Sequence, residues 1–228
     1  MDQIFIENGG PNLRANYGSS DLDQRHIFVA STIYELPVGR GKMFGSNMNR
    51  ALDEVIGGWQ LNSIVSLASG NPIDLSTTGS ATGKIDNRPD LISYQRVSRQ
   101  MVGGTNNANN LTYFSGTFAL PPVNASGMFT RPGNVGRNTF VGPSYRTWDV
   151  GLFKGFHITE RVNMEFRAQA YNVLNTPQFA NPDIKVTDGL PNANATQYST
   201  GPGVSFGTIN ATRLNTQRQL ELAAHINF

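Results

Sequence analysis

The last ten residues restrict this chain more than any other stretch. Counting back from the end, Phe228, Ile226, Ala224, Leu222 and Leu220 are apolar. Asn227, His225, Glu221 and Gln219 alternate with them, and Ala223 alone breaks the pattern. Neighbouring side chains of an extended strand project to opposite faces, so a period of two running to the final residue describes a strand with one oily and one wet face. Such a strand fits the half-buried edge of a soluble sheet or the wall of a membrane barrel, and the remaining sequence has to separate the two.

The chain has 228 residues, room for one large domain or two small ones. With 38% hydrophobic and 15% charged residues it is neither a charged disordered tail nor an α-helical membrane protein. A transmembrane helix needs a run of about 18 apolar residues, and none is present; transmembrane strands escape that test because alternation halves their local hydropathy. The formal net charge is +2, with Lys and Arg scattered and no basic run, which gives no footprint for nucleic acid. Cysteine is absent, so disulfides, zinc thiolates and cysteine nucleophiles are all excluded. Twenty-four glycines and twelve prolines, with Asn, Ser and Thr filling the gaps, favour an all-β chain with long loops. The start Met1-Asp2-Gln3-Ile4-Phe5 carries no signal peptide, which for an exported chain points to a C-terminal piece of a longer polypeptide.

Alternation marks strands near residues 25–36, 58–70, 146–156, 161–174 and 216–228. The first is apolar on both sides, with Phe28, Ala30, Thr32 and Tyr34 on one face and Ile27, Val29 and Ile33 on the other, so its lipid-facing side stays open. The second puts Trp59, Leu61, Val65 and Leu67 on one face, with Trp59 where an interfacial girdle aromatic would sit. In the fourth, Val162, Met164, Phe166, Ala168 and Ala170 oppose a polar face of Glu165, Arg167, Gln169 and Tyr171. About ten alternating residues is the length a tilted strand needs to cross a bilayer. Residues 71–144 and 175–212 read as long loops without extended alternation, and residues 105–110 are nearly low-complexity. Loops of that length are unusual in a compact soluble domain and ordinary outside a large barrel. Back from Phe228 the connections run long, short, very long, moderate, which sets the turns at 37–57 and 157–160 on the side of the C-terminus.

No constellation for catalysis emerges, and an enzyme is not expected. His26, His157 and His225 have no second ligand at metal-binding spacing, and His225 lies on the wet face of the last strand. Asp86 and Asp90 sit in a loop without the spacing of a calcium site. The run Gly39-Arg40-Gly41-Lys42 lacks the spacing and strand–helix setting of a phosphate loop. No cofactor or metal is expected.

Several blocks carry a resemblance. The terminal alternation ending on Phe228 resembles the C-terminal strand of bacterial outer-membrane β-barrels, the strand that the barrel-assembly machinery recognises in that family, through Phe228, Ile226 and Leu222 here. Gly133-Asn134-Val135-Gly136-Arg137-Asn138, Gly142-Pro143 and Trp148-Asp149-Val150-Gly151-Leu152-Phe153-Lys154 resemble the C-terminal barrel of TonB-dependent outer-membrane receptors of the Oar-like group, which carry a carboxypeptidase-regulatory-like domain. Phe166-Arg167-Ala168-Gln169-Ala170-Tyr171-Asn172-Val173-Leu174-Asn175 resembles the same family's strand, with Gln169 where an acid is usual. Gly57-Gly58-Trp59-Gln60-Leu61, Phe206-Gly207 and Asn227-Phe228 also fit, so the resemblance covers most of the chain from about Asp21 onward.

The resemblance implies an antiparallel transmembrane β-barrel segment, five or six strands of a wall that in the family has about 22 strands and a plugged lumen. It implies solute uptake across the bacterial outer membrane, with outer-membrane lipid, the rest of the barrel, a plug domain and an inner-membrane energy-coupling protein as partners; nucleic acid is not among them. Glu165, Arg167, Gln169 and Tyr171 are candidates for the lumen face, and Arg131, Arg137, Tyr145 and Arg146 for ligand contacts at the outer mouth. Two other readings stand beside it. One is a structural or adhesive outer-membrane barrel without transport. The other is a soluble glycan-binding β-sandwich, which loop length and the terminal phenylalanine disfavour.

Overall fold

The computed structural model describes residues 6–7, 10–11, 17–77, 88–101, 111–127, 129–131, 133–159, 161–214 and 216–228, with backbone alone for 6–7, 10–11 and 97–101. Asp86, Glu160 and the low-complexity stretch 105–110 lie outside them. In chain order the strands are β1 (Ile6–Glu7), β2 (Gly10–Pro11), β3 (Ile27–Glu35), β4 (Trp59–Ala68), β5 (Pro72–Ile73), β6 (Asp90–Met101) and β7 (Leu111–Ala119). They continue with β8 (Phe140–Val141), β9 (Tyr145–His157), β10 (Asn163–Tyr171), β11 (Leu190–Pro191), β12 (Gln197–Ser199), β13 (Thr208–Ile209) and β14 (Gln219–Asn227). A helix, α1 (Arg50–Ile56), lies between β3 and β4, and a 3-10 turn spans Val186–Asp188. The protein is all-β with antiparallel strands, and its sheets are not closed.

The chain divides into two compact units. The sheet unit comprises His26–Ser69, Tyr145–Gln178 and Leu214–Phe228; the loop unit comprises Met1–Arg25, Gly70–Ser144 and Phe179–Arg213.

The sheet unit is a five-stranded antiparallel sheet in the order β14-β10-β9-β4-β3. Directly paired residues of an antiparallel ladder point to the same face, so the register assigns every side chain to a side. Tyr34, Leu61, Leu152, Ala168 and Leu222 line up across all five strands, and the row Ser63, Val150, Ala170 and Leu220 lies beside it. Both rows belong to one apolar face. Aromatics flank this aliphatic middle, with Phe28 and Trp148 toward one end and Trp59, Phe156 and Phe166 toward the other. Arg146 and Phe156 lie ten residue steps apart on one strand, about 33 Å at about 3.3 Å per step. At a barrel tilt near 40° that projects to about 25 Å, the height of a lipid-facing band. The register also decides the side of β3: Phe28, Ala30, Thr32 and Tyr34 share the apolar face, while Ile27, Val29 and Ile33 share the polar one.

All long connections leave the sheet at the end marked by Ile27, Ala68, Tyr145, Tyr171 and Gln219, whereas the connection holding α1, the turn after His157 and Phe228 sit at the other end. Apolar side chains of the sheet unit stay uncovered, Leu220 and Leu222 being about three-quarters exposed and Phe228 fully so.

The hydrophobic core lies in the loop unit, and here the structure departs from the reading of 71–144 as a strandless loop. Strand β7 pairs with β6 along one edge and with β12 and β13 along the other. Two register shifts, between Leu91 and Ser93 and between Arg96 and Gln100, interrupt the β6–β7 ladder. The first leaves one extra residue in β6 and the second two, and the single-residue step resets the two-residue period, which hides the hairpin from an alternation count. The residues 175–212 likewise fold as β11, β12, β13 and the 3-10 turn.

The core itself is aromatic. Phe114, Phe118 and Phe206 are fully buried, with Phe206 wedged edge-on between the other two at 5.4 and 5.3 Å between ring centres. Phe140 stacks on Phe114 at 5.9 Å, and Tyr94 meets Phe140 edge to face at 4.9 Å. Gly207, at φ +77°, lets the chain turn directly after Phe206 and present its carbonyl to the Tyr113 N–H at 2.9 Å. Replacing Phe206 by Ala should cost the protein about 3–5 kcal/mol in the loop unit. Limited proteolysis in a denaturant series checks this, with cleavage inside Gly70–Ser144 and Phe179–Arg213 expected at lower denaturant than in the parent chain.

Candidate functional site

The polar face of the five-stranded sheet is the candidate surface. Glu165, Arg167, Gln169 and Tyr171 occupy alternate positions of β10, so all four project to this face. They pair along the strand: the Arg167 Nε donates to Glu165 Oε1 at 2.7 Å, and the Tyr171 hydroxyl donates to Gln169 Oε1 at 3.0 Å. Arg167 also sits over the Phe153 ring, 5.7 Å from its centre, which fixes the guanidinium from below. Register places His225 beside Glu165 and Glu221 beside Gln169.

Two hollows interrupt this face. One, of about 150 Å³, lies among Asn62, Asp149, Gly151, Gln169 and Tyr171, with the Phe153 ring packed over Gly151. A second, of about 350 Å³, lies at the end of the sheet that carries Phe228, lined by Gln60, Phe153, His157, Asn163, Glu165 and Asn227. The surface offers mixed donors and acceptors and one ion pair; no cluster of metal-ligating residues occurs among the described residues. Its mixed donors and acceptors can hydrogen-bond a polar partner.

The other candidates are placed differently. Leu222 and Ile226 lie on the apolar face of β14, at the open edge of the sheet, and Phe228 follows them. The four proposed outer-mouth residues divide between the two units. Arg131 and Arg137 belong to the loop unit, and Tyr145 and Arg146 open β9 in the sheet unit. Arg131 grips Asp90 through both guanidinium nitrogens, at 2.8 and 2.7 Å, and Arg137 lies 3.7 Å from the Asp21 carboxylate. The Arg146 backbone is held at both its N–H and its carbonyl by the buried Gln178 amide.

Two of the blocks that carry the resemblance, 133–138 and 166–175, contain fasteners for which sequence reasoning gave no role. In the loop unit, Asn134 Oδ1 accepts the Leu91 N–H at 2.6 Å while the Asn134 N–H donates to Asp90 at 2.9 Å. A Cβ on Gly133 would lie 2.1 Å from the Pro89 carbonyl, so only glycine allows that approach. The hydrogen bonds from Arg131, and then that from the Asn134 backbone, hold the Asp90 carboxyl below the usual carboxylate range.

In the sheet unit, Asn172 ends β10 in the left-handed region at φ +46°. Its side chain accepts from the Thr176 N–H at 3.1 Å and donates to the carbonyls of Thr176 and Thr216 at 2.9 and 2.7 Å, while its own N–H donates to Asp149 Oδ1 at 2.8 Å. The one sequence signal for it was a small amide directly after an alternating run, a residue type that tolerates this backbone.

The family model for the outer membrane β-barrel domain matches residues 4–221. The chain belongs to the outer membrane β-barrel domain family. It resides in the bacterial outer membrane. Comparison with curated proteins and with solved structures gave no match. For a member of the outer membrane β-barrel family, a single-layered sheet with one apolar and one polar face is the expected form of wall.

Two substitutions probe the fasteners. Asn172→Ala removes three side-chain hydrogen bonds and places Ala in the left-handed region, and should lower stability in detergent micelles by about 3 kcal/mol, read from the denaturant midpoint. Asp90→Asn should cost about 1 kcal/mol at neutral pH, since Arg131 is partly solvated. Because the folded carboxyl titrates below its unfolded value, its contribution is present above about pH 4 and fades as pH falls through the lower folded value. Hydrogen exchange at Leu91, corrected for the intrinsic rate, should show the gap between parent and Asp90→Asn closing in acid.

Proposed function

We propose that this chain is wall of a TonB-dependent receptor barrel that takes up a solute across the outer membrane. Its apolar face meets lipid, and its polar face, centred on Glu165, Arg167, Gln169 and Tyr171, lines the lumen. The observation that carries the reading is the amphipathic register of the sheet, apolar across five strands on one side and polar over β4, β9, β10 and β14 on the other. Lipid satisfies no backbone group, so the open edges of β3 and β14 require further strands, and five strands fall short of the smallest closed barrels of about eight. The resemblance of Trp148–Lys154, Phe166–Asn175 and the Phe206-Gly207 pair to Oar-like receptors supports the transporter over a plain barrel. The mechanism is binding and gated passage, with a plug held against the polar face and released through an inner-membrane energy-coupling protein. Barrel-assembly machinery would read Leu222, Ile226 and Phe228 on the uncovered β14 edge.

A photo-cross-linking amino acid tests this in outer membranes. At position 169 it should capture a plug domain, and at position 222 only lipid or assembly factors. Capture of lipid at 169 would reverse the faces. A lumen position that captures no protein, in membranes where 222 behaves as expected, would favour a structural barrel without transport.

A further inference from the structure

The connection between β3 and β4 carries the one feature of the sheet unit that neither a polar turn nor a barrel wall explains. In α1, Leu52, Val55 and Ile56 recur at i, i+3 and i+4 and form one stripe, while Arg50, Asp53 and Glu54 fall on the opposite side. A helix packed on a water-soluble protein turns such a stripe inward. This helix is reversed. Leu52, Val55 and Ile56 are 44%, 62% and 42% exposed, whereas Asp53 and Glu54 are the half-buried residues, with Asp53 Oδ1 accepting the Arg40 N–H at 2.7 Å.

The C-terminal end of the helix is gripped from the apolar face of the sheet. The Trp59 indole N–H donates to the Val55 carbonyl at 3.1 Å, and the Lys154 ammonium donates to the Gly57 carbonyl. Lys154 is nearly fully buried, with the rings of Trp59 and Phe156 over it at 5.9 and 5.0 Å. A cation at a helix C-terminus meets the negative end of the helix dipole, which accounts for a lysine on an otherwise oily face. Trp59 and Lys154 are register partners on the face of Leu61, Leu152 and Leu222. The grip therefore fixes α1 at the end of the apolar face.

We propose that α1 is an interfacial helix, its Leu52, Val55 and Ile56 stripe seated in the headgroup boundary of the leaflet that surrounds the end of the sheet opposite the long connections. The proposal rests on the reading of the apolar face as lipid-facing, and it extends the lipid contact from the wall to a connection that otherwise reads as solvated. The lipid surface is favoured as the occupant because the residues that hold the helix end, Trp59 through the Val55 carbonyl and Lys154 through the Gly57 carbonyl, are themselves register partners on the apolar face. A helix of this polarity lies in the interface plane about 5–10 Å deep.

The chain has no cysteine, so single cysteines report cleanly. Val55→Cys, Glu54→Cys and Leu222→Cys, each carrying an environment-sensitive fluorophore, are reconstituted as full chains into phosphatidylethanolamine–phosphatidylglycerol vesicles that contain a lipid spin-labelled near its headgroup. The Val55→Cys label should emit to the blue and lose most of its intensity to the spin-labelled lipid but little to aqueous iodide, with the reverse at Glu54→Cys. A Val55→Cys label quenched by iodide and not by lipid overturns the proposal. A label shielded from both quenchers means that protein covers the stripe, a second copy or a partner, and overturns it equally. Leu222→Cys separates the two levels: lipid quenching there with none at position 55 sinks the helix proposal alone, and no lipid quenching at either site sinks the lipid-facing reading of the sheet as well.

Discussion

Everything in the sheet unit depends on the backbone ladder that joins β14, β10, β9, β4 and β3 without a register shift. In hydrocarbon no water is available to an unpaired N–H or carbonyl, so strands survive there only by pairing with one another. The ladder meets that requirement inside the sheet and hands it on at β3 and β14, whose outer edges are open. It also sorts the side chains. Because paired residues share a face, a regular ladder gathers five separate strands into one apolar surface and, over β4, β9, β10 and β14, one polar surface. The aromatic rows at both ends, the polar stripe of β10 and the seating of α1 all follow from that sorting.

The loop unit answers to a different constraint. It keeps order as a water-soluble domain does, with an aromatic core around Phe114, Phe118, Phe140 and Phe206 and a ring of buried or half-buried hydrogen bonds. Asp90 shows how tightly the pieces are sewn: one carboxylate binds a guanidinium and a backbone N–H from the segment 131–134. Long connections of a barrel need not be slack, and a prefolded one presents a fixed surface to whatever approaches.

The wall strands were legible in the sequence because their period of two survives intact. Each of the five strands of the sheet falls on a stretch that alternation marks, with its ends displaced by one to three residues. What stayed hidden had physical reasons. The β6–β7 hairpin carries two bulges, and β7 is half-buried on both sides, so neither strand shows a clean two-residue beat. The side of β3 was ambiguous because both of its faces are apolar, and only the pairing of Phe28 with Leu67 and of Tyr34 with Leu61 resolves it. The polar stripe of β10 was legible residue by residue. The pairing of Arg131 with Asp90 was not, because a charged side chain in a loop looks the same in sequence whatever it pairs with. Asn172 and Gln178 act through hydrogen bonds to backbone far along the chain, which no local pattern encodes.

The unbroken ladder also determines where this protein tolerates change in length. Inserting or deleting one residue within β4, β9 or β10 would turn every side chain beyond that point to the opposite face, setting carboxylates against lipid and leucines toward the lumen. The β6–β7 hairpin has already absorbed such steps as bulges. Divergence by insertion and deletion, and any engineered tag or epitope, should therefore collect in the segments 70–144 and 179–213, while the wall strands drift in composition but keep their length.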